Sequence, residues 1–159
     1  MRLRNMTGIY LSCKGKMLLL YRQNGRVVSD KWVASAGGHF EPDELNDPRA
    51  CVLRELKEEL GIGEVDIDNL TMRYIGIHHI NGEIRQNYYF FADLKEYREF
   101  TSNEGISRWI ETDKVTGLEM PLTAKYIMDH YMDIGRFDDI LYCAVCDGEG
   151  YRFVPLKEM

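Results

Sequence analysis

No stretch of this chain approaches the roughly 20 consecutive apolar residues that a membrane-spanning helix needs. The start, Met1-Arg2-Leu3-Arg4-Asn5-Met6, lacks the hydrophobic segment of a secretory signal. Cysteine is sparse: four residues, at 13, 51, 143 and 146, form no regular framework. That spacing excludes a disulfide scaffold and makes a reduced, cytoplasmic setting the expectation. Positive charge is also short, with 20 Lys and Arg against 26 Asp and Glu, a net −6. A nucleic-acid polymer needs a basic stripe, so none is expected as a partner. A nucleotide is still admissible, provided a divalent cation offsets its phosphates. Low-complexity runs, internal repeats and linker-like stretches are all missing, which argues against disorder.

What is present suits one packed domain. The 159 residues are 45% apolar, with Trp 2, Tyr 10 and Phe 6, enough for a core of ordinary size. Residues 7–13 and 16–22 read as a hairpin around Lys14-Gly15. Asn24-Gly25 opens a loop towards Lys31-Trp32-Val33-Ala34-Ser35, a short run expected to end at Gly37-Gly38. Residues 65–80 and 84–94 read as two strands around Asn81-Gly82, a strong hairpin signal. Tyr88-Tyr89-Phe90-Phe91 is apolar on both faces, as a strand covered on both sides requires. A short strand follows at 107–110. Residues 121–134 read as a helix starting at proline and stopping at Gly135, with Ala124, Ile127, Tyr131 and Ile134 on one face. The tail, about 139–155, reads as another hairpin, turning at Asp147-Gly148-Glu149-Gly150. The sum is α+β: a mixed sheet with at least two helices.

Arg54-Glu55-Leu56-Lys57-Glu58-Glu59-Leu60-Gly61 poses the chemical question, because like charges repel on a helix surface. Asp47-Pro48 is a helix start and Gly61 a stop. At about 100° per residue, Glu58 lies roughly 60° behind Glu55 and Glu59 roughly 40° ahead, so the three share one face. Leu53, Leu56 and Leu60 lie on another, available to pack on the sheet. A solvated acidic helix, softened by Lys57 and Arg54, is the plain reading. The chemical one is a hard cation such as Mg²⁺, which takes oxygen ligands and substrate phosphates. Gly37-Gly38 lets the backbone approach the same place. One free carboxylate there could take a proton from water.

The wider stretch resembles the Nudix hydrolase signature: a glycine, five residues, Glu, seven residues, then Arg-Glu-apolar-any-Glu-Glu-any-Gly-apolar. Gly38 and Glu44 match the first part; Arg54, Glu55, Leu56, Glu58, Glu59, Gly61 and Ile62 match the second. Nine residues rather than seven separate Glu44 from Arg54, and Leu45-Asn46 reads as a two-residue insertion before the helix. The resemblance implies a Nudix fold, a mixed β-sheet between helices (α/β/α), over about residues 5–134. One such domain would span 1–159, with the final hairpin outside the common pattern. It implies Glu58 and Glu59 as ligands of the catalytic Mg²⁺ (or Mn²⁺), the Gly37 carbonyl assisting. Glu55 would be general base or a further ligand, oriented by Arg54.

Carried outward, the resemblance places a metal-binding or catalytic Glu at Glu104, five residues before Trp109, and a phosphate contact at Arg22. A solvated loop carboxylate and an exposed strand-end arginine are the plainer alternatives. His39, beside Gly38, is a substrate contact or a loop histidine without a role. Met120-Pro121-Leu122 is a nucleobase contact or a helix start. Cys143-Ala144-Val145-Cys146 has metal-ligand spacing, but a second pair is missing and alternation sends the two cysteines to opposite faces. They are expected as buried strand residues. His78-His79 also face opposite ways, so one of the two is expected to line the site and a paired metal site is not. The implied activity is metal-dependent hydrolysis of a nucleoside diphosphate linked to X, with a small-molecule nucleotide as partner. Purine nucleoside triphosphates, oxidised ones such as 8-oxo-dGTP included, come first, giving monophosphate and pyrophosphate. Nucleotide sugars, dinucleoside polyphosphates and a non-hydrolysing nucleotide-binding module are the alternatives. A homodimer is left open.

Overall fold

A computed structural model describes residues 1–23 and 29–159. The Asn24-Gly25 loop lies outside the described residues. The chain folds in the order β1 (Arg2–Cys13), β2 (Lys16–Arg22), β3 (Lys31–Val33), β4 (Ala36–His39) and α1 (Pro48–Leu60). It continues as β5 (Ile67–Ile80), β6 (Glu83–Leu94), β7 (Gly105–Glu111), α2 (Leu122–Asp133), β8 (Leu141–Cys146) and β9 (Tyr151–Leu156). Local chemistry sets several of the ends. Asp47 accepts a hydrogen bond from the Ala50 N–H at 2.9 Å, and Gly61 closes α1 at φ 69°. Asn81 and Gly82 both have positive φ, 52° and 72°, as a two-residue hairpin turn between twisted strands requires.

The described strands form one mixed sheet in the order β3-β2-β1-β6-β5-β8-β9, with β4 added on β1 and β7 on β2. β1 runs parallel to β6, and β5 parallel to β8; the other pairings are antiparallel. Each face carries its own core. Tyr10, Tyr89, Phe91 and Tyr74 pack under Ala124, Ile127 and Met128 of α2. Ile9, Leu11, Phe90 and Leu94 pack under Val52 and Leu56 of α1. Alternation along β6 thus sends Tyr89 and Phe91 one way and Phe90 the other, which is why that run is apolar throughout.

Several expectations change. β1 starts five residues before the expected Thr7, because Arg2 to Met6 gain the parallel partner β6. Gly37-Gly38 does not end a strand; it lies inside β4, where Gly8 pairs with Gly37 and Thr7 with Gly38. On α1 the buried apolar residues are Cys51, Val52 and Leu56, with Leu53 and Leu60 at the margin. On α2, Met128 and Met132 take the place expected of Ile134, which lies beyond the helix end and is exposed. The tail hairpin forms as β8 and β9 and extends the sheet beyond β5.

Candidate active site

Arg54 gathers the acidic residues. Its Nε and Nη2 donate to the two oxygens of Glu44 at 2.6 and 3.0 Å, a bidentate pair. Nη1 donates to Glu55 at 2.8 Å and to Glu58 at 3.0 Å, and Nη2 also reaches the His39 carbonyl at 2.9 Å. Glu44 is buried, 6% exposed, and its second oxygen also takes the Glu41 N–H at 3.0 Å. Hydrogen bonds from Arg54, opposed by burial, hold the Glu44 carboxyl at about 2. The insertion is absorbed at the surface: Leu45 is 58% exposed, while Glu44 ends the preceding turn facing Arg54.

The paired glycines serve two different contacts. A Cβ on Gly37 would lie 2.3 Å from the Thr7 carbonyl oxygen, inside the ladder with β1. On Gly38 it would lie 2.2 Å from Glu55 Oε1. Gly38 is therefore the gap into which the Glu55 carboxylate fits. The Gly37 N–H donates to Glu59 Oε2 at 3.2 Å. Burial, and then the nearby charge of Glu104, push Glu59 up to about 7; the Gly37 N–H and Arg22 oppose this and Glu55 adds to it.

The three helix glutamates thus differ. Glu55 is buried, Glu59 half-buried, and Glu58 exposed and turned to Arg54. Among the described residues, no three His, Cys, Asp or Glu side chains stand in a metal-holding cluster. Arg54 Nη1 occupies one oxygen each of Glu55 and Glu58. A family model described as NUDIX domain matches residues 1–131.

The chain belongs to the Nudix family.

It is a Nudix hydrolase. Nudix hydrolases act on small nucleotide molecules and generally use divalent metal ions. No curated protein matches the sequence. Among solved structures, a mutator MutT protein from Bacillus halodurans is 24% identical, with TM-score 0.64 and 94% of this chain and 97% of that one covered. A MutT protein from Methanosarcina mazei Go1 is 21% identical at TM-score 0.67, covering 85% and 96%. A C. elegans Ap4A hydrolase complex is 17% identical at TM-score 0.65, covering 85% and 99%. At these identities the likeness speaks for the Nudix fold.

A cleft of about 470 Å³ opens on the α2 side of the sheet, with Gly37, Glu59, Arg22 and Glu104 on its lining. Arg22 Nη2 and Glu104 Oε2 form an ion pair at 3.2 Å, half-exposed, so neither is a lone surface charge. His39 ends β4 instead of lying in a loop; its Nε2 accepts from Arg4 Nε at 2.8 Å. Burial, then the charge of Arg4, lower its pKa. Pro121 and Leu122 reach the cleft, while Met120 is buried. His78 and His79 both line it. Cys143 and Cys146 are half-buried and free, in place of the expected full burial, and Cys146 lies at the cleft. Arg4, Arg85 and Tyr151 also line the cleft. Sequence reasoning missed them because each reaches the cleft through strand pairings made far along the chain. The even-numbered alternation of Arg4, Met6, Gly8 and Tyr10 was the available signal.

Proposed function

We propose that the protein is a Mg²⁺-dependent pyrophosphohydrolase that cleaves a nucleoside diphosphate linked to a further group, X, by attack of water on phosphorus. The observation that carries this reading is Glu59, set at the cleft against the Gly37 N–H and pushed up to about 7 by burial and by neighbouring carboxylates. A carboxylate in that position is one that a nearby cation would hold ionised. The donor chemistry fits a hard divalent ion, Mg²⁺ or Mn²⁺, being oxygen only. Glu58, Glu59 and the Gly37 carbonyl would hold it, with Glu55 a further ligand or the general base. When bound, such an ion neutralises phosphate charge and acidifies water.

The chain's own residues supply the rest. Glu55 Oε1 is engaged by Arg54 at 2.8 Å, which leaves Oε2 to accept a proton from the attacking water. Arg54 is a positioning residue, itself fixed by the bidentate pair with Glu44. Gly38 admits the carboxylate; Arg22 and His39 contact substrate; Glu104 acts as an additional catalytic carboxylate across from Glu59. Purine nucleoside triphosphates, 8-oxo-dGTP among them, are the first substrates in this reading, giving monophosphate and pyrophosphate. The length of the cleft and the arginines at its far end favour a second: a longer NDP-X, such as a nucleotide sugar or dinucleoside polyphosphate. The whole chain, 1–159, acts as one unit here, since β8 and β9 continue the sheet that carries the cleft.

The test is turnover of a nucleotide panel with and without Mg²⁺, resolving pyrophosphate from single phosphate release. Metal-dependent cleavage of at least one NDP-X is expected. Ligand binding without turnover of any member would replace hydrolysis by a binding role.

A further inference from the structure

Two arginines face each other at the end of the cleft remote from Glu59. Arg4 on β1 is in register with Arg85 on β6, and Arg85 in turn with His78 on β5. All three line the cleft. Like charges directly opposite one another on a sheet destabilise it, and this chain carries a net −6, so the pairing is not a by-product of a basic surface. One carboxylate serves both: Glu83 accepts from Arg85 Nε at 2.7 Å and lies 4.0 Å from Arg4 Nη1. Arg4 Nε is taken by His39. The Nη nitrogens of Arg85 have no hydrogen-bond partner among the described residues. His78 Nδ1 is buried and unpartnered as well. The result is two guanidinium groups and one carboxylate, with donors left over, at a cleft wall.

The spacing is fixed by the strand. Arg4 lies four residues before Gly8, and Gly8 pairs with Gly37, whose N–H meets Glu59. Four residues of strand span about 13 Å. Between the two ends the lining includes Met6, Tyr89, Leu122 and Tyr151, which give it an apolar and aromatic middle. Tyr151 is held there by the hydrogen bond between its hydroxyl and Thr123 Oγ1, 2.6 Å long, so the final hairpin walls this part of the cleft. One end of the cleft thus suits a cation-bound diphosphate and the other an anion, with a stacking surface between.

We infer that Arg4 and Arg85 form a second anion site, which takes a phosphoryl group that the substrate carries remote from the scissile diphosphate. The inference rests on the proposed hydrolytic site and deepens it: the substrate is an NDP-X with an additional phosphomonoester, on the nucleoside's own ribose or on X. Guanidinium contacts to a phosphate are charge-assisted and bidentate where geometry allows. The site discriminates by charge at that position, and the base is left to the aromatic middle.

The experiment uses the full chain with Mg²⁺ and two matched pairs. ADP-ribose is compared with its 2′-phosphate, which tests the ribose source, and with its 1″-phosphate, which tests X. For one pair, the phosphorylated member should show a kcat/KM about 10- to 100-fold higher. That advantage should collapse in Arg4→Gln and in Arg85→Gln, and survive in part in Arg85→Lys. The same three compounds are titrated calorimetrically in EDTA, where affinity reads the arginine site without turnover. Equal affinity and equal kcat/KM within both pairs, or an advantage unchanged in the Gln variants, overturns the inference. Hydrolysis of unphosphorylated ADP-ribose by the wild type reports separately on the hydrolytic reading, so the two can fail independently.

Discussion

Gly37 and Gly38 are neighbours in sequence, yet replacing each by alanine should damage the protein in different ways. Neither has a positive φ, so alanine meets no backbone penalty and only the space around Cβ matters. At Gly38 the new Cβ would stand 2.2 Å from Glu55 Oε1. Reaching an ordinary contact of 3.4 Å moves the carboxylate by about 1 Å, and misplacing a reacting group by that much costs about 100-fold in rate. The displaced atoms are the end of a side chain and not backbone, so the fold should hold. Gly38→Ala should lower kcat about 100-fold with Tm within about 2 °C. At Gly37 the Cβ would meet backbone, 2.3 Å from the Thr7 oxygen and 2.8 Å from Gly8 Cα. There β4 must part from β1, an overpacking of about 1–3 kcal/mol and a Tm loss of about 5 °C in a chain of this size. Thermal melts and initial rates with Mg²⁺ on both variants decide the matter. If Gly38→Ala keeps the wild-type kcat, or if both variants lose activity only in proportion to Tm, the placement of Glu55 against Gly38 has no catalytic meaning.

Other expectations follow from the same contacts. Glu55→Gln and Glu58→Gln should each lower hydrolysis by orders of magnitude with the fold intact, since one is proposed to take the proton and the other to hold the cation. The Glu44 carboxyl is held at about 2 against 4.5, so its stabilisation is complete above about pH 4.5 and lost as pH falls towards 2. The amount is about 3 kcal/mol at most. Glu44→Gln should lower Tm at pH 7 and flatten its dependence between pH 5 and 2; an unchanged acid limb would refute the assignment. Arg54→Lys keeps the charge but loses the fork, so kcat should fall at least about tenfold while KM changes little, read from steady-state kinetics. Asp47→Ala removes the cap accepting from Ala50 and should cost about 1 kcal/mol in chemical denaturation.

Much of the fold was legible because its signals are local. Asp47, Pro48 and Gly61 delimit α1 within one stretch of chain, and Asn81-Gly82 turns β5 into β6 by its own dihedral preference. The helical spacing of Arg54, Glu55, Glu58 and Glu59 was legible for the same reason. What resisted reading depends on partners far away in sequence. Gly37-Gly38 looks like a bend until Thr7 and Gly8 are set beside it. The three glutamates share a face by geometry, yet Arg54 and the sheet divide them into buried, half-buried and exposed. Arg22 and Glu104 read as separate candidates and prove to be an ion pair, because β2 and β7 pair in register from Arg22 to Gly105. Glu44 keeps its place despite the insertion, since Leu45 is pushed to the surface and the fork of Arg54 captures the carboxylate.

The central claim is that the carboxylates along one side of α1, with the Gly37 carbonyl, seize a divalent cation where a nucleotide's diphosphate lies. It is tested most directly by a crystal of the protein with Mn²⁺ and a non-hydrolysable nucleotide analogue, read at the manganese absorption edge. The account predicts an anomalous peak within bonding distance of Glu58, Glu59 and the Gly37 oxygen, next to the analogue's phosphates. A well-ordered analogue with no peak there, and Glu58 still bound to Arg54, would contradict it.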